Sequence, residues 1–93
     1  MDLKTAFNHF RQILEKTADI SIPKGIGGMW TPDAKETNGD LIRFTYAGGY
    51  EQHIFSNKFN FAIINTEGMD GEVITLHGKE EDVEACLEFY GVE

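Results

Sequence analysis

Residues 38–55, NGDLIRFTYAGGYEQHIF, decide the fold. Asn38-Gly39 signals a hairpin, because a two-residue type I′ turn needs positive φ at both central positions, which Asn and Gly tolerate. Asp40 to Ala47 then alternates with the period of two that marks a strand. Leu41, Arg43 and Thr45 fall on one side, and Ile42, Phe44 and Tyr46 on the other. Ala47-Gly48-Gly49 is the next turn, and Tyr50 to Phe55 the next strand. Strands joined by such short turns pair antiparallel.

The pattern continues downstream. Ser56-Asn57-Lys58 turns the chain, and Phe59 to Asn65 reads as a strand with Phe59, Phe61 and Ile63 on one face and Ala62 and Ile64 on the other. Glu67-Gly68-Met69-Asp70-Gly71 reads as a loop, and Glu72 to His77 as the last strand. Upstream, residues 24–32 form a glycine-rich connection that leads into further strand-like sequence. Helices bracket the strands. Leu3, Phe7, Phe10, Leu14 and Ala18 recur at helical spacing, widened by Ala6 and Ile13, with Asp2 placed to cap the N-terminus. This helix ends near Thr17 to Asp19, before Ile20, Ser21, Ile22 and Pro23. A second helix runs from about Lys79 to Tyr90 with Val83, Cys86, Leu87 and Tyr90 on its apolar stripe, and Gly91 stands at the C′ position that ends helices. The expected fold is α+β: an antiparallel meander of four to five strands, flanked by an N-terminal and a C-terminal helix packed on one face.

Ninety-three residues, 41% hydrophobic, with seven Phe, three Tyr and one Trp, suit one globular domain spanning 1–93. One cysteine allows no intramolecular disulfide and suits a reducing cytoplasm. No apolar run approaches the ~18 residues of a membrane helix. The apolar residues of the N-terminus are too widely spaced for a signal peptide. The net charge is −8, and it divides at Thr66. Residues 1–66 carry seven acids and seven bases, whereas residues 67–93 carry nine acids and Lys79 alone. Such an excess of acid disfavours nucleic acid and anionic lipid, which attract Lys and Arg.

The acidic segment therefore holds the candidate site. Glu80, Glu84 and Glu88 form an i, i+4 stripe, with Glu81 close to the same line, and Asp70 and Glu72 precede the helix. The helix dipole favours acids in the first turn, which accounts for Glu80, Glu81 and Asp82. Glu84 and Glu88 remain unexplained: like charges four apart cost about 0.2–0.5 kcal/mol per pair. Trp30, beside mobile glycines, is a candidate exposed anchor, although core packing explains a tryptophan equally well.

Other constellations are weaker. Lys24 to Trp30 matches neither a Walker loop nor a dinucleotide fingerprint. His9, His53, His77 and Cys86 show no metal spacing. Cys86 reads as a buried, inert thiol, with a His77–Cys86 nucleophilic pair as the alternative. Glu51 and His53 share a strand face and could form an acid–base pair. Glu67, Asp70 and Glu72 lack the register of a calcium loop. Phe44, Tyr46, Tyr50, Phe55, Phe59 and Phe61 read as core aromatics.

These readings converge on a small non-enzymatic interaction module without metal or cofactor. Its acidic C-terminal helix would dock on a basic, nucleic-acid-binding surface of a larger protein. The expected partner-binding residues are Glu80, Glu81, Glu84, Glu88, Asp70, Glu72 and Trp30. Anti-restriction and anti-CRISPR antagonists share this size and charge, though no motif. The alternatives are a ligand-binding domain or enzyme built around His53, with Glu51, Tyr46 and Tyr50, or a homo-oligomeric structural component. A homodimer is compatible with all of these.

Overall fold

Six strands follow one another in space as they do in sequence. The computed structural model describes residues 2–17, 19–25 and 30–92, Thr17 by its backbone alone. The elements are α1 (Leu3–Thr17), β1 (Asp19–Ser21), β2 (Ala34–Asn38), β3 (Leu41–Tyr46), β4 (Glu51–Ser56), β5 (Phe61–Gly68), β6 (Gly71–His77) and α2 (Glu80–Phe89). The sheet order is β1-β2-β3-β4-β5-β6, every pair antiparallel. The α+β meander stands as the sequence implies, with one strand more. The addition is β1, whose three residues pair with Lys35 to Thr37 on β2. Three residues are too few to display an alternation.

Two turns differ in detail from the sequence reading. Asn38 pairs with Leu41 as the last rung of the β2–β3 ladder, so the loop residues are Gly39 and Asp40. Only Gly39, at φ 62°, needs the left-handed region. Glycine at the first central position is the type II′ pattern, not type I′. The expected loop at 67–71 is mostly strand: Glu67 pairs with Glu72 and Gly68 with Gly71, leaving Met69-Asp70 as the tip.

The apolar stripe of α1 makes the core. Ala6, Phe7, Phe10 and Leu14 are buried against Leu41, Ile54, Phe61 and Ile63 of the sheet, and Val83 and Cys86 of α2 complete the cluster. Ala18, the last member of the expected stripe, lies outside the described residues. The Phe10 and Phe61 rings meet at 5.2 Å, a contact of about 0.5–1.5 kcal/mol beyond area burial. Asp2 caps α1 as expected: its carboxylate accepts from the Lys4 backbone N–H at 3.2 Å and from Thr5 Oγ1 at 2.8 Å. These bonds hold the Asp2 carboxyl below its ordinary pKa. At the other end of the chain, Gly91 N–H bonds Glu88 O and Val92 N–H bonds Leu87 O, with Gly91 at φ 68°. That is the Schellman closure that the glycine at C′ implies.

The face under the helices also holds polar groups. Arg43 is 6% exposed. It donates to both carboxylate oxygens of Glu36, at 2.9 and 2.6 Å, and lies 3.8 Å from Glu15 of α1. A charge so deeply buried requires such a bidentate partner. Asn38 Nδ2 donates to the Ile13 carbonyl at 3.0 Å and ties the first hairpin to α1.

Gly78 links β6 to α2 at φ 130°, where a Cβ would stand 3.0 Å from Phe61 Cβ and 3.1 Å from the Asn60 carbonyl. Gly48, at φ 65°, has open space around it. Gly78→Ala should therefore cost more than about 2 kcal/mol, and Gly48→Ala about 1 kcal/mol. Urea unfolding midpoints of the two variants check the order.

Candidate functional site

The helix α2 carries its acids where the sequence places them. Val83 and Cys86 face the core, and Glu80, Glu81, Glu84 and Glu88 are exposed. Among the described residues, no cation forms an ion pair with Glu84 or Glu88. One cation does reach the end of this helix. Lys58, from the β4–β5 turn, stands 3.7 Å from the Phe89 ring centroid and 5.6 Å from that of Phe59. A positive charge there suits the C-terminal end of the dipole.

The candidate acids do not all come together. Asp70 and Glu72 lie at the β5–β6 tip, and five residues of strand, about 17 Å, separate Glu72 from His77 at the end nearer α2. Glu72 is also occupied. It accepts from Asn65 Nδ2 at 2.8 Å and pairs with Lys4 at 3.2 Å. The Asn65 bond, then Lys4, lowers its pKa. Trp30 is 97% exposed, so its place is on the surface and not in the core.

The aromatic residues divide between the two faces of the sheet, which corrects the reading of all six as core. Phe61 is buried and Phe59 packs against the core. Phe44, Tyr46 and Phe55 point to the face opposite the helices, because their registers alternate with Leu41, Arg43 and Ile54. Tyr50, before β4, is 44% exposed. On the open face the rings contact one another: Phe44–Phe55 at 5.9 Å edge-on, Phe44–Tyr46 at 6.5 Å and Tyr46–His53 at 4.9 Å. The signal for this face was present in the alternation of β3, but alternation does not say which side a helix covers.

Glu51 and His53 do meet, at 2.8 Å between Oε2 and Nε2, and Thr66 Oγ1 donates to Glu51 Oε1 at 3.3 Å. The pair sits on the open face, away from the enclosed space of the fold. The gap between α1 and the sheet is about 30 Å³. That is room for a water or two, not for a substrate. Its lining includes Asn8, Arg11, Gln52, Asn65, Glu67 and Glu72 and none of His53, Glu51, Tyr46 or Tyr50. Among the described residues, Gln52 Oε1 and Asn65 Oδ1 find no hydrogen-bond partner there, and Arg11 Nε has only Glu15, at 3.6 Å. Sequence reasoning had no means to find this polar gap, since α1 and three strands supply it.

The thiol of Cys86 lies on the helix side of the sheet, whereas His77, opposite Ala62, belongs to the other side. The two do not form a nucleophilic pair. Burial pushes the thiol up to about 12, with the charge of Asp40 adding to it. Asp40 gathers this corner: its carboxylate accepts from Ser56 Oγ and from the Tyr90 hydroxyl. Burial and the bond to Asp40 push Tyr90 up to about 12 as well. Among the described residues no group of three or more His, Cys, Asp or Glu side chains is placed to hold a metal. No described helix is long and apolar enough to cross a membrane. Compared with protein families, curated proteins and solved structures, the chain matches none.

Tyr90 and Cys86 keep their protons in the folded state when the unfolded chain, with ordinary values of 10.0 and 9.0, has released them. Their contribution to stability is full below pH 9 and declines as pH rises toward 12. Tyr90→Phe should flatten the upper part of that decline in pH-dependent thermal melts. Cys86 should react with a thiol reagent at pH 8 at least ~100-fold more slowly in the folded protein than in urea.

Proposed function

We propose that the chain is a small non-enzymatic interaction module that docks the outer face of α2 on a basic surface of a larger protein. One observation carries this reading. Glu84 and Glu88 are exposed, stand one turn apart, and have no ion-pair partner among the described residues. Glu81 extends the same surface. Dipole compensation explains acids at the start of α2 but not at its end. A basic partner would remove the repulsion, and long-range attraction would speed the encounter. The β5–β6 tip, with Asp70, lies too far away to share that contact.

A basic surface of the required kind is common on proteins that hold nucleic acid. The finer reading is therefore an antagonist that occupies such a surface, in the manner of anti-restriction or anti-CRISPR proteins. Size, charge and the ridge of carboxylates support it. Pull-down from a lysate at low and at high salt provides the test. The wild-type chain should retain a basic nucleic-acid-binding protein at low salt and release it at high salt, where charges more than a few ångströms apart are screened. Glu84→Lys with Glu88→Lys should reduce capture at least tenfold with an unchanged thermal melt. Equal capture by the double variant at low salt would overturn the proposal.

A further inference from the structure

Both faces of the sheet carry large apolar side chains, and only one is covered. Its covered face sets Arg43, Gln52, Ser56 and Asn65 beside the buried Leu41, Ile54, Phe61 and Ile63, and its open face sets Ile42, Phe44, Tyr46, Phe55 and Ile64 among polar groups such as Lys35, Glu51 and His53. A face meant for water normally alternates polar residues outward. This one is richer in rings than the face that makes the core. Among the described residues its rings meet one another and no second layer.

We propose that the open face is the contact surface of a homodimer, in which two sheets pack face to face as a β-sandwich. Four features favour a second copy as the occupant. The first is charge. Of the acidic groups on the face, Glu51 is already bonded to His53 and Thr66, and Asp19 stands on the edge strand β1, outside the cluster of rings. Lys35 lies 6.0 Å from the Phe44 ring centroid. An identical face can therefore approach without leaving a new carboxylate unpaired, whereas a basic or acidic partner finds little to match. The second is the location of the remaining charge. The carboxylates of α2 lie on the far side of the sheet. Two copies packed through their open faces place their helix layers about 30 Å apart, three layer spacings, against a Debye length of about 8 Å. Self-association through the helix side would instead bring the two sets of α2 carboxylates close together.

The third is shape. Two copies of one twisted sheet have matched twist and pack at about −30° with side chains interdigitating. The fourth is area. Strands β2 to β6 span roughly 24 by 20 Å, close to 500 Å² in projection from each copy. The total of about 1,000 Å², before the relief of the rings is counted, reaches the lower bound of a specific interface. Shallow grooves of about 280 and 250 Å³ end the face, one beside Phe55 and His77, the other beside Thr66 and Val73. They give the partner's side chains somewhere to enter.

The experiment is sedimentation equilibrium on the full chain, with far-UV circular dichroism as the check of folding. The wild type should have the mass of a dimer at micromolar concentration. Phe44→Glu should weaken association ~100-fold or more, because an unpaired carboxylate would be buried in the interface. Ile64→Lys, in the neighbouring region of the face, should do the same if the first variant folds poorly. Glu84→Lys with Glu88→Lys should leave the dimer intact, which separates this result from that of the α2 proposal. A monomeric wild type at 100 µM would overturn the inference. So would a dimer that survives both open-face variants, since that would indicate pairing through an edge strand.

Discussion

The burial of one helix stripe governs the architecture. Phe7, Phe10 and Leu14 of α1, with Ala6 beside them, need an apolar surface, and the meander offers it on one side. Residues from β3, β4 and β5 meet that stripe directly. The α2 helix follows β6 through Gly78 and fills the remaining corner with Val83 and Cys86. Two helices suffice for one face of six strands. The other face is left to its own side chains.

Much of this was legible in the sequence. Helix spacing in α1, glycine at 91, aspartate at 2 and the Gly-marked turns all encode local geometry, and local geometry survives in the structure. The number of strands was less legible, because Asp19-Ile20-Ser21 is stabilised by pairing with β2 and not by any pattern of its own. The facing of the aromatics was misread for a related reason. Alternation in β3 separates Ile42, Phe44 and Tyr46 from Leu41, Arg43 and Thr45, and hydrophobicity alone assigns the first set to the core. The helices choose the second, because Arg43 finds Glu36 across the strand pair and Glu15 above it. A buried arginine with two carboxylates cannot be inferred from the residue type.

The candidate site was legible in part. Glu80, Glu84 and Glu88 of α2 are exposed as their i, i+4 stripe implies, but the acids at 70 and 72 belong to a different end of the molecule. Sequence proximity suggested one acidic patch, whereas an extended strand converts a separation of a few residues into many ångströms. The charge count also changes once contacts are known. Glu72 draws Lys4 across from the first helix, and Lys58 arrives at the end of the last one. The negative half of the sequence is thus partly compensated by the neutral half, and the excess is concentrated on α2.

The strand order has a kinetic consequence. Each strand pairs with the next in sequence, so from β2 onward the sheet can assemble hairpin by hairpin, each step closing only a short loop. The helix α1 behaves differently. It touches β6 and α2, elements more than fifty residues away, as well as the nearer β2, β3 and β4. Its contacts with the last strand and helix therefore close the longest loops of the described fold, at a larger entropic cost than any hairpin.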